Sequence, residues 1–256
     1  KADPIMVHPD VRRMLANVKA STEGMRALSM WVAVLMDLAH NHADEEVRQE
    51  SEDLVALLTP IIKSYCTERG FDNVSEALQV TGGSGYTRDM HIEQYLRDMR
   101  IAMLYEGTNH IQALDLVGRK LTRENGRLFR VFQSRITELI KSSAEVDGME
   151  EFVEPLKEAS KQLTDMTMKL GAKASEDREI VGAIASNYLK HFALTAVAYA
   201  WARQCKYAIE NDTDNREPKL KTARYFFNMI LPEIDALKDV VEEGKEPMMD
   251  FEVSEF

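Results

Sequence analysis

The sequence predicts an all-α protein, on three observations. Apolar residues recur at three- and four-residue steps over long stretches, the period of helices with one buried face. Methionine numbers 14 while glycine and proline number only 12 and 7, which suits helices better than a turn-rich β architecture. The breaks between periodic stretches are short, which predicts antiparallel neighbours. The expected architecture is an antiparallel helical bundle over residues 1–125, followed by a second helical domain over residues 126–256.

Pro9-Asp10 opens the first long helix. Its apolar positions are Val11, Met14, Leu15, Val18, Met25, Leu28, Val32, Leu35, Met36 and Ala39. His40 to Glu46 is polar and acidic and reads as a loop. His40, His42 and Asp44 do not suggest a metal site, because side chains two residues apart do not share a helix face. A second helix spans about Glu52 to Glu68, bent or divided by Pro60, with Gly70 as its stop. Asn73 then caps a helix carrying Val74, Ala77, Leu78 and Val80, which ends at Gly82.

Past a glycine loop, His91 to Leu104 carries Ile92, Tyr95, Leu96, Met99, Ile101, Met103 and Leu104, the spacing of one broad buried face. Arg97-Asp98 within it reads as a structural ion pair. Asn109 and Gln112 have capping-box spacing, so Asn109 is the expected N-cap of a helix with Ile111, Leu114, Val117 and Leu121. Glu124-Asn125-Gly126 is a pause and a helix then continues to about Ser142. Val146-Asp147-Gly148 is a clearer break. Three long helices follow, at about Glu150–Lys173, Asp177–Asn211 and Pro218–Val241, the last kinked by Pro232. Tyr188, His191, Phe192, Tyr199, Trp201 and Tyr207 stand among alanines and leucines and read as core.

Composition excludes several classes. The net charge of −11 disfavours a nucleic-acid partner, which would require a basic face. From Glu233 to Phe256 nine acids face two lysines, and this reads as a solvated tail. No run approaches the roughly 20 apolar residues of a membrane span. Cys66 and Cys205 lie in helical patterns without metal-type spacing, the mark of buried free thiols in a reducing compartment such as the cytoplasm.

Chemistry is suggested at two places, Gly82-Gly83-Ser84-Gly85-Tyr86 and Tyr105-Glu106-Gly107-Thr108. Glu106 falls in a short break between apolar helices, where an acid is either a solvated turn residue or a poised base. Local pattern alone favours the turn. The glycine loop lacks Gly-x-Gly-x-x-Gly spacing and a preceding strand, so a tight turn or helix stop explains it equally well.

Three blocks taken together, Gln79-Val-Thr-Gly-Gly-Ser-Gly-Tyr86, Arg97-Asp98 and Tyr105-Glu-Gly-Thr-Asn-His-Ile-Gln112, resemble the carboxy-terminal helical domain of the acyl-CoA dehydrogenases in order and spacing. That resemblance runs from about Val11 to Leu121. Residues from Phe129 to about Val241 resemble the extra helical domain of a bacterial subgroup that includes the 3-methylmercaptopropionyl-CoA dehydrogenases. The resemblance implies oxidation of an acyl-CoA thioester to its 2,3-enoyl form with FAD, in a homo-oligomer, with an electron-transfer flavoprotein or similar acceptor. It implies Glu106 as the catalytic base, with its own backbone N–H donating to the thioester carbonyl. A carboxylate in a dry pocket is a stronger base.

By the same carry-over Tyr105 and Gly107 line the substrate pocket. Gln79, Val80, Gly82 and Gly83 contact the adenosine-diphosphate part of an FAD bound mainly by a neighbouring subunit, and Thr108 faces the flavin. His110 stands where the family often has glutamine, which leaves its cofactor contact open. The chain begins with Lys1, and the family's amino-terminal helical and central β domains are not within it. It therefore reads as the carboxy-terminal piece of a longer protein, inactive and without stable FAD binding alone. Two other readings stand beside the dehydrogenase: an acyl-CoA oxidase, and a non-catalytic helical interaction module.

Overall fold

The computed structural model describes residues 3–177 and 179–256, and among these it holds helices and no strand. Helix α1, Pro9–Asn41, begins with proline at its first turn, where the missing N–H costs nothing. Helix α2, Glu45–Thr81, is capped by Asp44, whose side chain accepts the Glu46 N–H at 2.8 Å. Three residues separate the two, so they lie antiparallel as a long hairpin. Helices α3, Ile92–Ile101, and α4, Asn109–Asp115, fold back onto α2. Helix α4 runs on into a π turn, Leu116–Lys120, in which Leu121 N–H reaches Leu116 C=O at 3.0 Å.

The pause at 124–126 is built from left-handed backbone, with φ of 49°, 54° and 81° at Glu124, Asn125 and Gly126. It releases α5, Arg127–Ser143. Arg127 Nε returns to the nearly inaccessible Asp53 at 2.8 Å, so that α5 is tied to α2 by a charge pair. Helices α6, Glu150–Glu176, and α7, Glu179–Glu210, follow; Arg178, within the expected helix from Asp177, lies outside the described residues. Helices α8, Arg216–Tyr225, and α9, Glu233–Glu243, are joined by a second π turn, Phe226–Ile230, directly before Pro232. The expected proline kink is therefore a widened turn. A single turn, α10, Glu246–Met249, lies beyond.

The core is centred on α7. Twelve consecutive residues, His191 to Ala202, are buried, so this helix is covered on all sides. It packs against α1, α2, α4, α5, α6, α8 and α9. Trp201 Nε1 donates to Ala20 C=O at 3.2 Å, and Phe132 and Phe192 stack at 5.2 Å. Burial raises the thiols, Cys66 to about 11 and Cys205 to about 12, which makes both poor nucleophiles. No helix among the described residues is long and apolar enough to cross a membrane.

Several expectations need correction. Helix α2 is unbroken: Pro60 is buried within it, and Gly70 is a crossing point, since a Cβ there would meet Met99 Cε at 2.6 Å. Asn73 is an interior residue whose buried amide accepts from Ser21 at 2.9 Å and donates to Thr22 at 3.2 Å. Helix α3 buries none of its residues, and Tyr95 and Ile101 are more than half exposed. Its apolar face meets too little of the chain to be covered. Arg97 pairs with Glu93, one turn back at 2.9 Å, not with its neighbour Asp98. Tyr207 lies on the surface at the end of α7, while the other five aromatic and histidine positions are core. The acidic carboxy-terminal stretch is only partly solvated, because α9 buries Ile234, Leu237 and Val241 and carries its acids on the outer face.

A Cβ at Gly24 would meet Trp201 Nε1 at 2.5 Å and Val197 Cγ1 at 2.6 Å. Gly24→Ala should therefore lower unfolding free energy by about 1–3 kcal/mol in denaturant titration, and an unchanged midpoint would contradict the close α1–α7 approach. Burial depresses the His191 pKa from 6.5 to about 4, against a small opposing pull from Asp235. The unfolded chain then binds the proton first, so stability is full above pH 6.5 and falls as pH drops towards 4. His191→Leu should flatten that stretch of the stability–pH curve, and a curve of unchanged slope would show that other groups set it.

Candidate functional site

The break after α3 is a strained loop. Glu106 has φ 55° and Gly107 φ 82°, two left-handed residues in succession. A glutamate in that region is uncommon and needs support from its surroundings. Gln112 Nε2 supplies part of it by donating to Glu106 C=O at 3.0 Å. The rest comes from α2. Lys63 Nζ donates to Gly107 C=O at 2.6 Å and to Asn109 Oδ1 at 2.8 Å. Burial lowers the Lys63 pKa, while the charges of Glu106 and Glu68 raise it.

Asn109 is not the cap. The cap position is Thr108, without a side-chain bond, and the buried Asn109 amide instead turns towards α2. There Asn109 Nδ2 donates to Ser64 C=O at 3.2 Å and to Thr67 Oγ1 at 3.1 Å. The helical period explains this: Lys63 and Thr67 are one turn apart on α2 and face the same loop. Reading the sequence missed both. The available signal was two polar side chains, Lys63 and Thr67, one helical turn apart in a helix whose neighbouring positions Ile61, Ile62, Tyr65 and Cys66 are apolar.

With its backbone held this way, the Glu106 side chain stands exposed at an open groove of about 550 Å³. Gly107, Ile111, Gln112, Leu114, Asp115 and Arg119 line the rest, with Arg119 paired to Asp115 at 2.5 Å. Among the described residues the Glu106 and Gly107 amides have no acceptor. Tyr105 is exposed beside them, and His110 Nδ1 lies 3.0 Å from Ser186 Oγ of α7. Tyr105, Glu106, Gly107, Thr108 and His110 are thus brought together.

Gln79, Val80, Gly82 and Gly83 are elsewhere. They close the far end of α2, where Gly82 has φ 61° and a Cβ on Gly82 or Gly83 would meet nothing within 4 Å. Nineteen residues of α2 separate Gly82 from Lys63, an axial distance of about 28 Å. Gly85 has a different reason: a Cβ there would collide with the Thr81 side chain and approach Leu78 C=O at 3.1 Å.

Comparison with known proteins gives the class. Residues 1–121 match the family profile "Acyl-CoA dehydrogenase, C-terminal domain", and residues 132–252 match "Acetyl-CoA dehydrogenase C-terminal like". The chain belongs to the acyl-CoA dehydrogenase family. It is 35% identical over 244 residues to the 3-methylmercaptopropionyl-CoA dehydrogenase of Ruegeria pomeroyi, covering 92% of this chain and 41% of that one. It is 30% identical over 271 residues to the broad-specificity linear acyl-CoA dehydrogenase FadE5 of Mycobacterium tuberculosis, covering 97% and 43%. The chain thus spans about two-fifths of the length of these relatives. The crystal structure of Caenorhabditis elegans ACDH-11, in complex with C11-CoA, shares the fold at TM-score 0.73 and 21% identity, over 89% of this chain and 39% of that one.

The brace can be tested directly. Lys63→Met removes a charged donor from two acceptors, so hydrogen exchange at the Asn109 amide should speed up about tenfold or more. Unchanged exchange would mean that the loop holds its shape without Lys63.

Proposed function

We propose that the protein is the carboxy-terminal portion of an FAD-dependent acyl-CoA dehydrogenase, with Glu106 as the base that takes the proton next to the thioester carbonyl. The observation that carries this reading is the Glu106 loop. Its backbone is held in a costly left-handed conformation, while the carboxylate and two amide donors stay free at a groove. A solvated turn has no need of such a brace.

In this reading the proton passes to a carboxylate oxygen of Glu106. The negative charge that develops on the thioester carbonyl oxygen is met by the Glu106 amide N–H, a donor already oriented before the substrate arrives. Gly107 leaves room for the thioester and Tyr105 flanks it. Bound FAD supplies the oxidant that accepts hydride from the next carbon. The residues assigned to FAD fit that role, because Gly82 and Gly83 present bare backbone to a group approaching from outside the chain. Gln79 and Val80 stand beside them, and Thr108 and His110 lie near the reacting end.

The 28 Å along α2 has a consequence for assembly. A cofactor whose diphosphate rests on Gly82 and Gly83 is not the one that faces Glu106 of the same chain. The reading therefore includes a homo-oligomer in which a neighbouring copy supplies the other half of each site. It also includes an electron-transfer flavoprotein or similar acceptor.

The test is anaerobic mixing of the full-length protein that carries this chain with a panel of acyl-CoAs while following bleaching of the oxidised flavin. Glu106→Gln should slow bleaching roughly 100-fold or more and leave flavin content intact. Bleaching at the wild-type rate in the variant would move the base elsewhere.

A further inference from the structure

A second groove, of about 500 Å³, opens between α1 and α7. That volume lies in the range of small-molecule sites. The groove is remote from the Glu106 loop: Arg203 on its edge is seventeen residues along α7 from Ser186, which His110 touches, or about 25 Å. Its walls are Met30, Trp31, Val34 and Tyr207, and Met30 and Tyr207 are 67% and 63% exposed. Ala27 to Val34 marks two turns of α1, an apolar floor about 10 Å long.

The polar side of the groove has one sign. No acid lines it, in a chain with 43 acids against 32 lysines and arginines. Of its two cations, Lys219 pairs with Glu23 at 2.7 Å, an acid it shares with Lys19. The Arg203 guanidinium stands 5.2 Å from the Trp31 ring and 5.7 Å from the Tyr199 ring, and has no acidic partner among the described residues. Ring faces attract a cation but leave its in-plane N–H groups free to donate. Beside it Gln204 Oε1 receives Lys219 Nζ at 3.4 Å, while Gln204 Nε2 is buried beneath the groove surface.

We propose that the α1–α7 groove binds a monoanionic amphiphile, a medium-length apolar carboxylate. Its hydrocarbon lies along Met30 and Val34 beside the Trp31 edge, and its carboxylate accepts from Arg203. The Arg203 charge, which has no acidic partner among the described residues, matches one carboxylate, and the apolar floor sets the length of the body. A neutral chain would offer Arg203 no charge partner, and a cation would be repelled by it.

Decanoate is the probe, used below its micelle concentration. The chain has two tryptophans, and because Lys219 of the groove stands 5.4 Å over the Trp201 ring, the emission change is assigned to Trp31 by its loss in Trp31→Phe. Decanoate should produce a saturable change, decanol should bind at least tenfold more weakly, and Arg203→Met should weaken decanoate at least tenfold without affecting decanol. Val34→Phe, at a half-exposed position that tolerates a larger ring, should also abolish the response while circular dichroism stays native. Equal affinity for decanoate and decanol, an unaffected Arg203→Met, or no saturable response in the wild type would each overturn the proposal. None of these readings involves the flavin or Glu106, so failure here is separable from failure of the dehydrogenase reading.

Discussion

The constraint on which the rest of the structure depends is the burial of α7. A helix apolar on one face needs one neighbour, whereas a helix with twelve consecutive buried residues needs neighbours all round. Helices α1, α2, α4, α5, α6, α8 and α9 all pack on it, α4 near Ser186. Both segments that match family profiles therefore contribute to one continuous core. Gly24 and Trp201 show how close the contact is: the indole N–H reaches the α1 backbone at Ala20 only because the residue one turn on has no side chain.

Helix α2 carries that packing to the Glu106 loop. One flank is set against α1 through the buried Ser21–Asn73 bond, and another presents Lys63 and Thr67 to the Glu106 loop. Because α2 is rigid and continuous, the loop and the Gly82–Gly83 terminus are held at a fixed separation. The strained φ values at Glu106 and Gly107 lie where this helix, α3 and α4 converge. Such strain persists only where the surroundings over-determine the backbone, as Lys63, Gln112 and Asn109 do here. A bulkier or uncharged residue at position 63 would leave the Gly107 carbonyl and the Asn109 amide without their shared donor.

Much of this was legible in the sequence. The helical period located α1, α5, α6 and α7 closely, and Gly148 and the proline at position 232 stand at real helix boundaries. Three motif blocks indicated the family. What stayed hidden depended on long-range packing. Gly70 and Asn73 look like a stop and a cap, yet Gly70 admits Met99 and Asn73 bonds across to α1; neither partner is near in sequence. Asn109 has capping-box spacing, but its buried amide finds better acceptors and donors on α2. The apolar pattern of α3 is that of a buried face, yet the helix buries none of its residues among the described ones. Lys63 gave little signal because a lone lysine on a helix is usually solvated.

The central claim is that Glu106 is a proton acceptor positioned by its backbone, and its most direct test follows that proton. The full-length protein would be incubated with an acyl-CoA in deuterium oxide, and deuterium at the carbon beside the thioester carbonyl read by mass spectrometry. The account predicts incorporation at that carbon well above the uncatalysed rate in the wild type, falling to background when residue 106 can no longer accept a proton. Incorporation that persists without the carboxylate would contradict it.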